Sequence, residues 1–91
     1  MRESDDVFLV ICEEVSEDRE QNTYVLGAFT TSYLAKEAVG MSITEDKALG
    51  YVLTFKTDTE AVLDSIDGGS MTYRIVKMEL IDYDTFGEVY E

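Results

Sequence analysis

Val7-Phe8-Leu9-Val10-Ile11-Cys12 is an unbroken apolar run, rich in β-branched and aromatic residues and closed by Glu13 and Glu14. It is far short of the ~20 residues that cross a bilayer as a helix. Its composition favours a strand. A strand apolar on both sides belongs in the interior of a sheet, with a neighbour along each edge. Whatever else the chain does, it must supply those two neighbours.

The rest of the sequence offers them. Thr23 to Phe29 reads as a second strand, with Gly27 marking a bulge or a close backbone approach. The polar stretch Ser16 to Asn22 suits a long hairpin loop between the two. Thr30-Thr31-Ser32 are three consecutive N-cap candidates. The helix they open runs from Tyr33 to about Val39, with Leu34/Ala38 and Ala35/Val39 as its apolar stripe and Gly40 as its stop. Met41 to Leu49 follows no single period, although Thr44 to Lys47 suits a short helical turn. Tyr51 to Lys56 alternates as a half-buried strand. Thr57 and Glu60 have the spacing of a capping box, so a second helix is expected there, carrying Val62, Leu63 and Ile66 and ended by Asp67-Gly68-Gly69. Met71 to Ile81 is a long final strand. The expected order is strand, strand, helix, strand, helix, strand. The expected fold is α+β, a small mostly antiparallel sheet with two helices on one face. Residues 1–91 make one domain, in which 83–91 is either a short extra strand or a loosely attached acidic tail.

Charge narrows the range of ligands. Twenty Asp and Glu stand against seven Lys and Arg, a net charge of -13 with no His. A hydrophobic content of 45% separates this chain from acidic disordered sequences, which lack the apolar residues to build a core. Nucleic acid and anionic membrane surfaces would repel it. Residues 1–20 carry a net -6, residues 21–56 are neutral and residues 57–91 carry -7. If the two acidic parts meet in the fold, they form one surface. Cys12 has no partner for an internal disulfide, and no basic-then-apolar leader opens the sequence. Both features fit a cytoplasmic protein, in a host cell if the chain is phage-encoded.

Val7-Phe8-Leu9-Val10, Gly27-Ala28-Phe29-Thr30-Thr31, Ala35 and Ala38 on the first helix, and Tyr73 to Leu80 together resemble short uncharacterised α+β proteins of phages and bacterial mobile elements. The resemblance covers roughly residues 7–39 and 73–82. It implies a fold and a phage-like origin, and carries no functional residue with it.

Catalysis has little to work with. The commonest general base is missing. Cys12 lies in the most apolar strand and reads as a structural thiol, and serine triads lack their base for the same reason. No catalytic residue and no cofactor is expected. Asp64 with Asp67, or Asp82 with Asp84, could share a hard cation, but neither pair sits in a recognisable ligand loop, so no metal site is assigned.

The acids themselves are the candidate site. Side chains on one face of a strand repeat every ~6.6–6.8 Å, so carboxylates so placed can stand in for a run of phosphates. The sequence therefore points to a non-enzymatic acidic binding protein that occupies a basic, nucleic-acid-handling surface of a host protein. That is nucleic-acid mimicry of the anti-CRISPR-like or anti-restriction-like kind. The candidate contact residues are Glu13, Glu14, Glu17, Asp18 and Glu20 after the first strand, and Asp82, Tyr83, Asp84, Glu88 and Tyr90 near the C-terminus; tyrosine contributes contact area at small entropic cost. The alternative is a structural module that forms a homodimer through a sheet edge, for which the last strand is a candidate, with acidity serving only solubility.

Overall fold

The computed structural model describes residues 5–80. They form five antiparallel strands, β1 (Asp5–Val15), β2 (Gln21–Phe29), β3 (Val52–Lys56), β4 (Glu60–Asp64) and β5 (Ser70–Leu80), with one helix, α1 (Ser32–Ala48), between β2 and β3 in the chain. Across the sheet the order is β2-β1-β5-β4-β3.

The apolar run lies inside this sheet. β1 pairs with β2 on one side and with β5 on the other, from Asp5 opposite Leu80 to Val15 opposite Ser70. Alternation sends Val10 and Cys12 to the face covered by α1, where both are fully buried among Ala35, Val39, Ile43, Ala61, Leu63, Met71 and Tyr73. Val7, Leu9 and Ile11 point to the opposite face and are only half-buried. The run is thus apolar on both faces while the described residues cover one. The bulge expected near Gly27 is present. The pairing shifts register between Val10 and Ile11, leaving Leu26 as the extra residue of β2. A Cβ on Gly27 would meet the Phe29 ring at 3.0 Å.

The two-helix expectation is overturned. The segment after Thr57 is the tight turn and strand β4, so the described residues hold one helix and the element order differs. The cap-like contact does form. Thr57 Oγ1 accepts from the backbone N–H of Glu60 at 3.0 Å and of Thr59 at 3.2 Å. However, the Thr57 N–H donates to the Glu60 carbonyl at 2.7 Å, which closes a β3–β4 hairpin rather than opening a helix. Only a few residues separate this turn from the glycines of the next, too few for a stable helix. As a strand, Ala61 and Leu63 both enter the core opposite Tyr73 and Met71. Ile66, expected on the helix stripe, is 96% exposed at the tip of the next turn.

The first helix is longer than expected. Thr31 is its cap and accepts from the Leu34 N–H at 3.1 Å. Gly40 does not stop it, because Ile43 and Asp46 extend the buried stripe of Ala35 and Val39. The helix ends at Ala48, with Leu49 as its C-cap. The amides of Leu49 and Tyr51 both donate to the Asp46 carbonyl, and Gly50 takes the left-handed conformation at φ 102°. The last strand is also misplaced as an edge. β5 lies at the centre of the sheet, and the edges among the described residues are β2 and β3.

Candidate functional site

The acidic loop after β1 is shorter and more ordered than its composition suggests. It comprises Ser16–Glu20, and β2 begins at Gln21. The Ser16 N–H donates to the Glu20 carbonyl and the Arg19 N–H to the Ser16 carbonyl, both at 2.9 Å. Ser16 Oγ accepts from the amides of Asp18 and Glu20, each at 3.2 Å. Arg19 takes a left-handed φ of 71° to close the turn.

The β4–β5 turn repeats this construction. The Ser65 N–H donates to the Gly69 carbonyl at 2.8 Å, the Gly68 N–H to the Ser65 carbonyl at 3.0 Å, and the Asp67 N–H to Ser65 Oγ at 3.1 Å. Gly68 is left-handed at φ 99°. Ser16-Glu17-Asp18-Arg19-Glu20 and Ser65-Ile66-Asp67-Gly68-Gly69 are therefore twin turns, with Ser first, Asp third and a left-handed residue fourth. They stand side by side because β1 and β5 are adjacent and Val15 is opposite Ser70. Gly69 makes the approach close; a Cβ there would lie 3.1 Å from the Val15 carbonyl oxygen.

One end of the sheet thus gathers acid from two distant parts of the chain. Segments 13–20 and 64–70 hold Glu13, Glu14, Glu17, Asp18, Glu20, Asp64 and Asp67, with Arg19 as their one base. Glu14 faces an open groove between the turns, lined also by Glu17, Tyr51, Ser65 and Asp67. Glu17, Asp18 and Glu20 are exposed. Glu13 is separated from them. As the neighbour of Glu14 on a strand it points to the opposite face, where Arg74 Nη2 lies 3.6 Å from its Oε1 and Arg74 Nε lies 3.7 Å from Glu60 Oε2. Asp64 is engaged on that face too, accepting from Thr54 Oγ1 at 2.8 Å. The acids after the first strand therefore cluster on turns rather than in a row along one strand face.

Asp82, Tyr83, Asp84, Glu88 and Tyr90 lie outside the described residues. β5 ends at Leu80, which is opposite Asp5. That is the other end of β1 from the twin turns, roughly 34 Å away for ten residue steps of strand. Asp67 is the acid at this end of the sheet that the candidate contact residues did not include. Its signal was the repeated Ser-x-Asp spacing, hidden because Asp67-Gly68-Gly69 resembles a helix stop.

Beneath α1 lies a second polar group. The Tyr73 hydroxyl donates to Asp46 Oδ2 at 2.5 Å, and Asp46 is the one buried charged side chain among the described residues. Burial, with the hydrogen bond to Asp46, pushes the Tyr73 phenol well above its ordinary value. Burial likewise raises the Cys12 thiol. Tyr24, hydrogen-bonded to Cys12, is pushed up to about 12. All three shifts favour the protonated form. The cluster is a polar lock between helix and sheet. Among the described residues no group of three or more His, Cys, Asp or Glu side chains is gathered to hold a metal ion, and no helix is long and apolar enough to cross a membrane.

No protein-family model matches the chain, and no curated protein or solved structure matches it at a significant level.

Proposed function

We propose that this chain is a non-enzymatic acidic binding protein whose twin-turn end occupies the basic, nucleic-acid-handling surface of a partner protein, as a phage-type inhibitor would. The observation that carries this reading is the juxtaposition of two hydrogen-bonded turns that hold Glu17, Asp18, Glu20 and Asp67 outward, with Glu14 between them. Turns closed by their own hydrogen bonds lose little freedom when they meet a partner, which favours affinity. Carboxylates concentrated at one end steer a cationic surface toward that end. Ile66, almost fully exposed at the tip of the second turn, adds an apolar contact inside the acidic field.

The test compares the wild-type chain with a Glu17→Gln/Asp18→Asn/Glu20→Gln variant, which keeps the shape of the turn and removes its charge. The wild type is expected to retain a basic nucleic-acid-binding protein from a host lysate, to release it when nucleic acid is added, and to bind it more weakly as salt rises. The neutralised variant is expected to lose it. Equal affinity for both forms, or an affinity indifferent to salt, would overturn the reading.

A further inference from the structure

We propose that β2 is the seam of a homodimer, pairing antiparallel with β2 of a second copy about a two-fold axis at Val25. Among the described residues no strand lies beyond β2, so the backbone groups along its outer side have no ladder partner. A long bare edge of this kind is what isolated sheets avoid, by shortening it, bulging it or charging it. The other edge is guarded in that way. β3 has five residues, a register break between Leu53 and Phe55, and Lys56 at its end. β2 has nine residues and carries no charged side chain, with one bulge at Leu26 that the axis at Val25 sets opposite the copy's Tyr24.

The charge distribution selects a second copy as the occupant. Gln21 to Ala35 contains no charged side chain, in a chain that is 30% charged. Tyr24, Val25 and Leu26 on β2, with Tyr33 and Leu34 at the start of α1, are each 40% exposed or more. This neutral, partly aromatic strip is where two chains of net charge -13 can approach with the least repulsion. Gln21–Phe29 is symmetric about Val25, so full antiparallel overlap sets Val25 against the copy's Val25 and Gln21 against the copy's Phe29. The same register carries the acidic Ser16–Glu20 turn past the end of the copy's β2, alongside its Thr30–Leu34 segment. That segment is the N-terminal end of α1, whose first turn holds no acidic residue and whose dipole favours a nearby anion. Each copy thus places its acidic turn against the most cation-like part of the other. The result is a ten-stranded sheet with both helices on one face.

The dimer draws on the same Ser16–Glu20 turn as the acidic-surface reading, and it is tested without any partner, so that its failure is distinguishable from the failure of that reading. Light scattering of the wild type is expected to give twice the 10.3 kDa of one chain. Val25→Lys sets like charges against each other at the axis and is expected to raise the dimer dissociation constant on the order of a hundredfold. Val52→Lys, at a similarly exposed position on β3, is expected to leave the dimer intact. Circular dichroism confirms that each variant is folded. Amide exchange on the wild type provides a measurement that needs no variant: β2 is expected to be protected in concentrated solution and to lose protection on dilution. Three outcomes would each overturn the proposal: a wild-type mass of one chain at high concentration, dissociation by Val52→Lys but not by Val25→Lys, or protection of β2 that does not change with dilution.

Discussion

The two faces of the sheet are built from the same strands and have different fates. On the face under α1, Val10, Cys12, Ala61 and Leu63 are fully buried. On the other, Val76 is 38% exposed and Met78 46%, and Val7, Leu9 and Ile11 shelter only beside them. The side chains are of similar kind; what differs is the layer above them. Burial beneath that layer, rather than hydrophobicity alone, sets how much each residue contributes to stability. It also decides where polar groups need partners. Arg74, Glu13 and Glu60 on the open face interact across water-exposed distances, where ion pairs contribute little. Asp46 and Tyr73 under the helix must satisfy one another.

The largest effect expected from this contrast is at Leu63. Leu63→Ala should cost about 2–5 kcal/mol, since it opens a cavity in the covered core; urea unfolding measures it. A cost below about 1 kcal/mol would mean that α1 does not cap this face. Tyr73→Phe comes next, at about 1–3 kcal/mol, because it leaves the Asp46 carboxylate buried without its donor. Adding Asp46→Leu to Tyr73→Phe should restore part of that loss, and a double-mutant cycle reads the coupling directly.

The same hydrogen bond gives a pH dependence of defined sign. The folded state holds the Tyr73 proton more tightly than the unfolded chain, whose phenol titrates near its ordinary value of 10.0. Its stabilising contribution is therefore fully present below about pH 10 and is lost as pH rises beyond it. Thermal melts from pH 8 to 11 should fall more steeply for the wild type than for Tyr73→Phe, and parallel curves would argue against the lock. The smallest effect belongs to the open face. Val76→Thr should change stability by no more than about 0.5 kcal/mol. A loss comparable to that of Leu63→Ala would show that something covers this face in solution, and would remove the contrast.

How far the fold could be read from residues alone follows from the length of each signal. The run at 7–12 required an interior strand, and six residues without a polar interruption left little choice. Residues 60–66 did not have that clarity. Val62 and Ile66 satisfy helical spacing, Ala61 and Leu63 satisfy strand spacing, and so short a segment cannot separate the two periods. Pairing with β5 decides between them, and that is information from the other side of the sheet. Gly40 misled in a similar way, because a local stop signal is overridden when Ile43 and Asp46 extend the buried stripe for two more turns. At the acidic site, Glu14, Glu17, Asp18 and Glu20 stood out by composition. The separation of Glu13 from Glu14 followed from strand alternation and was available in principle. For Asp67 the Ser-x-Asp repeat was visible, but its place beside the first turn depends on β1 and β5 being neighbours.

That neighbourhood has a consequence for how the molecule is made. The first described strand and the last are the two longest, and they pair along their whole length near the middle of the sheet. On the ribosome β1 can meet β2 early, but its other edge waits until residues 70–80 have emerged. Until then the growing chain offers an unfinished sheet with Val7, Leu9 and Ile11 beside a bare margin, the kind of surface through which nascent chains clump. The net charge of -6 on residues 1–20 makes neighbouring unfinished chains repel one another during that interval. The acids that crowd the twin-turn end therefore also add to the repulsion between chains at the stage when that edge is bare.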